Sequence, residues 1–342
     1  MIDINKMIIV ILLFLQGCME PNTENLWKVS IENTLDTRGF ARSITVEGSK
    51  AYVAAGQAGA QIWDLDNYSL LHDFPGYEEG GTFLEFEDLG LVGRDSVNSL
   101  LFLAESNQDV KIFHYDGVDS FVYRNTIMSA RTKDFISFPA SIDQFIMYSA
   151  DNDDGLKWHF YNLDTTSSFG IEFIEWTPFG GSEIYTPGKP LGIDSDGESL
   201  IAMAVDQMGV ELFSIDSLGA DPILIGRVDT QGNAEKVTLS SSGVFVACDN
   251  AGAAYIPKEN FGTTNPEIPF AVDFTVDHIA IRDNIASLSI GSRGIALYDI
   301  SQPENPVEKG VFPLGYTYMS AFWGGKLLVC SREGLQVVSI TQ

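Results

Sequence analysis

The stretch Ala286-Ser287-Leu288-Ser289-Ile290, followed by Gly294 and then by Ala296-Leu297-Tyr298-Asp299, decides the fold of this chain. An apolar, β-prone run is followed about four positions later by a loop residue, here called the anchor, which starts a second such run. The pattern occurs seven times. The apolar runs and their anchors are 51–55 before Gly59, 100–104 before Asp109, 145–148 before Gly155, 200–205 before Gly209, 244–248 before Gly252, 286–290 before Gly294, and 327–330 before Gly334. A repeat this regular indicates an array of similar structural units.

The spacing of the anchors identifies the unit. Successive anchors are separated by 40 to 54 residues, which fits four short strands and their turns in one blade of a β-propeller. Glycine at six of the seven anchors fits a turn residue that takes a positive φ without steric cost. The units are rich in Val, Ile, Tyr and Phe and show no long 3.6-residue period. We therefore predict an all-β, seven-bladed propeller over residues 26–342, with helix nearly absent.

The ring is expected to be closed by the first strand of the domain. Outer strands are clearest at 221–228 and 305–312, where a proline suits the start of an edge strand. The seventh unit shows no outer strand of its own after Gln336–Ser339. Residues 26–31 (LWKVSI) read as its replacement. We predict that Trp27–Ile31 lies beside Gln336–Ile340, which would remove an open sheet edge.

Two stretches carry a resemblance to a known family. Residues 298–307 (YDISQPENPV) and 41–54 (ARSITVEGSKAYVA) resemble the LVIVD-repeat family of bacterial and archaeal surface propellers. The likeness covers most of 26–342 but is weaker in units two and three, which lack the Asn-Pro outer strand. The resemblance implies a propeller fold and a cell-surface setting, and it carries no catalytic residues.

The N-terminus has the pattern of a bacterial lipoprotein signal. An apolar core at 7–15 follows Lys6 and is too short to span a bilayer, which needs roughly 20 residues. Leu15-Gln16-Gly17-Cys18 resembles a lipobox, in which the cysteine receives the lipid. We predict a signal peptide at 1–17, lipidation at Cys18, a polar tether at 18–25 and an outer-membrane or cell-surface address. The alternative is a buried N-terminal element with an ordinary cysteine.

Charge and cysteine usage restrict the partners. A net charge of −27 argues against nucleic acid and anionic membrane surfaces, because phosphate binding needs clustered Lys and Arg. Contact with a membrane is therefore expected only through the lipid anchor, and the chain is expected to be a monomer.

Cys248 and Cys330 occupy equivalent positions two units apart, too far for a disulfide. They are predicted to be buried free thiols.

No cofactor is predicted, although two acidic stretches are candidate calcium-binding sites. Asp151 and Asp153 lie in one turn and residues 194–198 form another, and Ca²⁺ takes six to eight oxygen ligands from such loops. Neither stretch is an EF-hand loop. Asp and Asn also populate turns because their side chains bond the local backbone, which is the competing explanation.

The binding surface is predicted at the channel mouth, where the loops entering the inner strands and the loops before the anchors share one face. This set contains Arg38, Arg42, Arg94, Lys133, Lys189, Arg293 and Arg332, with Phe40, Tyr185, Tyr316 and Tyr318. Arginine with aromatic residues is typical of a recognition surface for carboxylates or acidic glycans. The alternative is that each arginine pairs with a nearby loop carboxylate, such as Asp36, Asp206, Asp249 or Glu333.

Two functions remain open. The preferred one is a lipid-anchored cell-envelope module that binds or scaffolds a protein or glycan partner at the mouth, without catalysis. The alternative is an extracytoplasmic hydrolase or lyase that acts on polysaccharide or peptide at the same place. His114 and His159 fall in third strands, away from the channel, and no nucleophile or metal motif is present. The longest departure from the repeat, 165–190, is expected to extend the outer strand of the third unit or to bind a partner.

Overall fold

The computed structural model describes residues 26–106, 108–118, 120–128, 131–152, 154–168, 171–217 and 219–342. The predicted signal peptide, the tether, the lipidation site Cys18 and the weak metal candidate Asp153 lie outside these residues. Seven four-stranded antiparallel sheets make up the described structure, together with a separate two-stranded hairpin. The prediction of an all-β, seven-bladed propeller is confirmed.

Each blade runs from an inner strand at the channel to an outer strand at the rim. Blade 1 contains Ser43–Glu47, Lys50–Ala54, Ala60–Asp64 and Ser69–Phe74, and blade 2 contains Leu89–Asp95, Leu100–Glu105, Val110–Tyr115 and Phe121–Ile127. Blade 3 contains Thr132–Ser141, Gln144–Asp151, Gly155–Ser168 and Ile171–Ile184, and blade 4 contains Gly192–Ser195, Leu200–Ala204, Val210–Ser214 and Ile223–Val228. Blade 5 contains Lys236–Leu239, Gly243–Ala247, Ala253–Pro257 and Ile268–Phe270, and blade 6 contains His278–Arg282, Ile285–Ser289, Ile295–Asp299 and Val307–Phe312. Blade 7 contains Thr317–Trp323, Lys326–Ser331 and Gly334–Thr341, completed by Lys28–Leu35.

The N-terminal strand closes the ring as predicted. Lys28–Leu35 pairs antiparallel with Gly334–Thr341, and its register places Lys28 opposite Thr341 and Ile31 opposite Val338. Trp27 is buried in the same apolar cluster as Leu297 of blade 6 and Val329 of blade 7. The last blade therefore has its fourth strand, and its third strand is not left as an open edge.

One steric constraint explains why glycine occupies the anchor positions. Gly59 has a φ of +82°, and a Cβ built on it would lie 2.1 Å from the carbonyl oxygen of Phe74 in the outer strand. Gly294 has a φ of +88° and meets the carbonyl oxygen of Phe312 at 2.1 Å. The same approach to an outer-strand or following-loop carbonyl occurs at Gly155, Gly209, Gly252 and Gly334. Glycine is required because only a missing side chain allows both the positive φ and this contact.

Two hairpins depart from the regular blade. The third and outer strands of blade 3 are both 14 residues long and extend past their neighbours, which confirms the predicted extension of the outer strand. A hairpin of Gly76–Glu79 and Thr82–Glu85 lies between blades 1 and 2 and was not predicted. Within the described ranges, the only helical element is a short 3₁₀ turn at Lys258–Asn260.

Apolar clusters between adjacent blades form the core. One unites Phe245 of blade 5 with Leu288 of blade 6, and another unites Tyr52 of blade 1 with Phe113 of blade 2. Cys248 and Cys330 are buried and free, as predicted. No helix in the described part of the chain is long and apolar enough to cross a membrane.

Candidate functional site

The seven inner strands surround a central channel of about 550 Å³. The upper face carries the loops that enter the inner strands and the loops that contain the anchors, and the lower face carries the remaining turns. Each inner strand presents one edge to the channel, so its backbone groups need partners from elsewhere. The neighbouring blade supplies some of them: the Thr45 hydroxyl donates to the Val92 carbonyl at 2.8 Å, and the Thr238 hydroxyl donates to the Ile279 carbonyl at 2.5 Å.

Lys236 ties three blades together near the upper end of the channel. Its ammonium donates to the Asp134 carboxylate at 2.8 Å and to the carbonyl oxygens of Lys133 and Leu191 at 3.3 and 3.0 Å. Burial and the charge of Lys236 lower the pKa of the neighbouring His278 to about 3, so its imidazole is neutral. The contacts of Lys236 with Asp134, Lys133 and Leu191 link blades 3, 4 and 5 at the channel. The ammonium of Lys236 is already paired and is not a candidate for binding a ligand.

An Arg–aromatic cluster lies on the upper face where blade 7 meets blade 1. We use this name for Phe40, Arg42, Tyr316, Tyr318 and Arg332. The Arg332 guanidinium lies 4.1 Å from the Tyr316 ring centroid and 5.5 Å from that of Phe40, and the Arg42 guanidinium lies 4.6 Å from that of Tyr318. Arg332 Nε also donates to the Tyr318 hydroxyl at 3.2 Å. The ring contacts restrain both guanidinium groups at the mouth.

The two arginines differ in how far the protein neutralises them. Arg42 contacts the Asp88 carboxylate at 3.3 Å, but its buried Nε has no hydrogen-bond partner. Arg332 is exposed and forms no ion pair within 4 Å among the described residues. The pairing alternative therefore applies to Arg42 and not to Arg332. An unneutralised, stacked guanidinium in a chain of net charge −27 is the most distinctive feature of this face.

Carboxylates also lie at the same mouth. We call Asp206, Glu235, Asp249 and Asp277 the acidic arc. Burial and the nearby charge of Asp249 raise the pKa of Asp277 to about 6, and burial, with Asp249 and Asp206, raises the pKa of Glu235. The mouth therefore carries carboxylates at blades 4 to 6 as well as the Arg–aromatic cluster at blades 7 and 1. The two sets meet beside Gly291, where a Cβ would lie 3.6 Å from Asp277 Oδ2 and 3.7 Å from the Tyr316 ring.

The sequence suggested Asp206 and Asp249 only as partners for arginine, and neither forms an ion pair in the described structure. A signal for their position was present in the sequence. Each precedes its anchor glycine by three residues, as Gly56 and Gly291 do, and all four positions bridge to the next blade at the upper face.

The other residues predicted for the mouth are scattered. Arg94 was placed wrongly: it lies near the lower end of the blade 2 inner strand, where it donates to the carbonyls of Leu100 and Tyr115 at 3.0 and 3.1 Å. The hairpin before blade 2 delays the start of that strand to Leu89, so Arg94 falls inside it and not in a loop.

Three further predicted residues lie on the upper face outside the cluster. Arg38 is ion-paired with Asp73, as the pairing alternative requires. Arg293 lies 4.3 Å from the centroid of Phe274 and donates to the Asp273 carbonyl at 3.1 Å. Lys189 is exposed in the loop between blades 3 and 4.

The calcium candidate Asp151 is fully buried, and its carboxylate lies 3.7 Å from the Lys157 ammonium. No group of three or more His, Cys, Asp or Glu suited to a metal occurs in the described part of the chain. His114 and His159 lie in third strands, as predicted, and burial lowers the pKa of both.

Comparison with known proteins supports the fold. No protein-family model matches the chain, and no curated protein matches it. Among solved structures, the RRP9 WD40 repeats align with a TM-score of 0.63 and 12% identity, over 92% of this chain and 100% of that one. U3-55K aligns with a TM-score of 0.63 and 12% identity over 92% and 98%, and the computationally designed Ika8 protein with 0.58 and 10% over 91% and 98%. At these identities the likeness shows a β-propeller fold alone.

Proposed function

We propose that the protein is a cell-envelope binding module that captures a carboxylate-bearing protein or glycan through the Arg–aromatic cluster. The observation that carries the proposal is Arg332, which is stacked on Tyr316 at 4.1 Å and exposed on an otherwise acidic chain. A guanidinium held by a ring keeps its N–H fork available for bidentate pairing with a carboxylate. The neighbouring Phe40 and Tyr318 add apolar surface for the rest of the partner.

Binding to acidic polymers tests this proposal. We expect poly-glutamate or polygalacturonate to bind, and Arg332→Gln to weaken binding about 10- to 100-fold, since a charge-assisted hydrogen bond contributes about 1.5–3 kcal/mol. Arg282→Gln is the matched control, because Arg282 also lies over a ring, Phe322, at 4.5 Å, but on the lower face. Equal affinities of the two variants, or no binding to the wild type, would contradict the proposal.

The acidic arc favours a second candidate, an extracytoplasmic hydrolase or lyase that acts on polysaccharide or peptide. Raised pKa values at Glu235 and Asp277 are what a carboxyl needs to act as an acid near neutral pH. We would measure release of reducing ends or amines from envelope polymers. Activity that disappears in both Glu235→Gln and Asp277→Asn, while Arg332→Gln remains active, would identify an enzyme.

The cell-envelope setting is part of the same proposal and rests on the sequence of the N-terminus and on the LVIVD resemblance. A lipid at Cys18 would hold the propeller through a tether leading to the outer strand of blade 7, at Lys28. The test is membrane fractionation with palmitate labelling. Cys18→Ser should abolish labelling and release the protein from the membrane, and labelling that persists would exclude this anchor.

A further inference from the structure

A second site lies on the lower face, separate from the mouth and outside the function proposed above. A groove of about 330 Å³ opens between blades 2 and 3, where the long hairpin of blade 3 leans against blade 2. Its walls include Val97, His114, Arg124, Leu163, Ile174 and Trp176. The hairpin is held there by Asn125, whose side-chain amide donates to the Trp176 carbonyl at 2.6 Å. The volume lies at the lower end of the range for small-molecule pockets.

Arg124 is the unusual residue of this groove. It forms no ion pair and no hydrogen bond among the described residues, although Asp143 also lines the groove. Burial lowers the pKa of its guanidinium, and no carboxylate counteracts that effect. A desolvated cation without a partner costs folding free energy. The chain carries 47 acidic residues, yet none of those that the structure describes forms an ion pair with Arg124.

The repeat itself provides an internal comparison. Arg124 is the extra residue of a β-bulge, since Ile112 pairs with Asn125 and Phe113 pairs with Tyr123. The same bulge occurs in blades 1, 3, 4 and 6, where the extra residue is Leu71, Phe179, Ile225 and Lys309 in turn. Blade 6 is therefore the matched comparison, because its extra residue is also a cation.

The partner of the bulge residue differs between the two blades. Lys309 lies 3.7 Å from Asp299, the last residue of the blade 6 third strand. The residue of blade 2 that corresponds to Asp299 is His114. Burial, followed by the charge of Arg124, lowers the pKa of His114. An imidazole carries no negative charge, so it cannot take the place of Asp299 as an ion-pair partner. Blade 2 therefore has a cation at the bulge, Arg124, but no acidic residue at the position that corresponds to Asp299.

We propose that this groove binds a small amphiphilic anion, whose carboxylate or phosphate pairs with Arg124 and whose apolar group packs against Val97 and Ile174, the exposed apolar residues of its wall. An anion that accepts two hydrogen bonds from the guanidinium would supply the ion-pair partner that Arg124 lacks. The apolar wall and the modest volume select a group of a few carbon atoms or one ring over a bare ion.

The experiment uses the full chain and the probes phenylphosphate and phenylacetate, which separate the two anion chemistries. Inorganic phosphate and acetate carry only the anionic halves of the two probes, and benzyl alcohol carries only the aromatic half. Titration is followed by the NMR signal of the His114 ring, which detects affinities in the millimolar range. We expect at least one anionic probe to shift this signal and to bind at least tenfold more tightly than either half.

Substitutions separate charge recognition from structural damage. Arg124→Gln should weaken probe binding at least tenfold without lowering Tm, because it removes an unpaired desolvated charge. His114→Asp restores the acid found in blade 6 and should also abolish binding while raising Tm, whereas His114→Asn should still bind. Because these two variants lack the reporter ring, their binding is followed by the NMR signal of the Ile174 methyl groups, which also line the groove. Arg332→Gln should bind the probes like the wild type, so that failure of the mouth proposal leaves this result unchanged. Equal affinity of Arg124→Gln and wild type, or no response to either anionic probe, would overturn the inference.

Discussion

The anchor glycines allow a sharp test of what holds each blade together. In Gly294→Ala, the new Cβ would lie 2.1 Å from the Phe312 carbonyl oxygen, at a backbone φ of +88°. The left-handed backbone alone costs about 1 kcal/mol for a non-glycine residue. The outer strand must also move by roughly 1 Å to relieve the contact, which weakens ladder hydrogen bonds of about 1 kcal/mol each. We expect a total loss of about 3–5 kcal/mol in the free energy of unfolding.

Gly48→Ala is the matched control. Gly48 has a φ of +58°, but no atom lies within 4 Å of the position that a Cβ would take there, so this substitution carries the backbone cost without the clash. Thermal unfolding followed by circular dichroism should show a Tm lowered by roughly 6 °C or more in Gly294→Ala and by roughly 2–4 °C in Gly48→Ala. Equal losses in the two variants would show that the φ, and not the approach of the outer strand, explains glycine at the anchors.

Three further predictions concern titration and reactivity. The ion pair with Lys326 lowers the pKa of Glu32 to about 2, so the stabilising effect of this pair is present above about pH 4.5 and is lost as the pH falls towards 2. Glu32→Gln should therefore be less stable than wild type at pH 7, and urea titrations in acid should give the same free energy of unfolding for both proteins. Burial raises the pKa of Asp277 to about 6, so ionisation of this carboxyl lowers the stability of the protein as the pH rises from about 4 through 6. Asp277→Asn should have a higher Tm than wild type at pH 7.5 but not at pH 4. A lower Tm of the variant at pH 7.5 would refute this reasoning. Burial raises the pKa of the Cys248 thiol to about 12, so peptide mapping should show alkylation at neutral pH only in denaturant, and rapid alkylation of the native protein would contradict it.

The sequence allowed the ring and its closure to be predicted because both depend on a repeated steric rule. Each anchor glycine meets the carbonyl of a following segment, so its spacing reports the blade period directly. Lys28–Leu35 could be assigned because the seventh unit lacked a fourth strand that the other units have. Both inferences compare the chain with itself and need no knowledge of side-chain packing.

The site could be predicted only in part. Arg42 and Arg332 come from two loops and Tyr318 from the start of the blade 7 inner strand, and they meet at the mouth because the blade register fixes where these segments lie. Arg94 was misplaced because Gly76–Glu85 forms a hairpin that the repeat pattern does not contain, and the start of blade 2 shifts accordingly.

Arg124 could not be recognised from the sequence either. Its importance depends on the absence of an ion-pair partner in the folded structure, and no pattern in the residues reports that absence.

Closure by Lys28–Leu35 also has a consequence for synthesis. This strand is translated before any other described strand, yet its partner, Gly334–Thr341, is translated after all the others. At roughly 5–20 residues per second, the ribosome needs about 15–60 s to make the intervening chain. During that interval the nascent strand carries Trp27 and a free hydrogen-bonding edge, so we expect holdase chaperones to occupy it until the final sheet is joined.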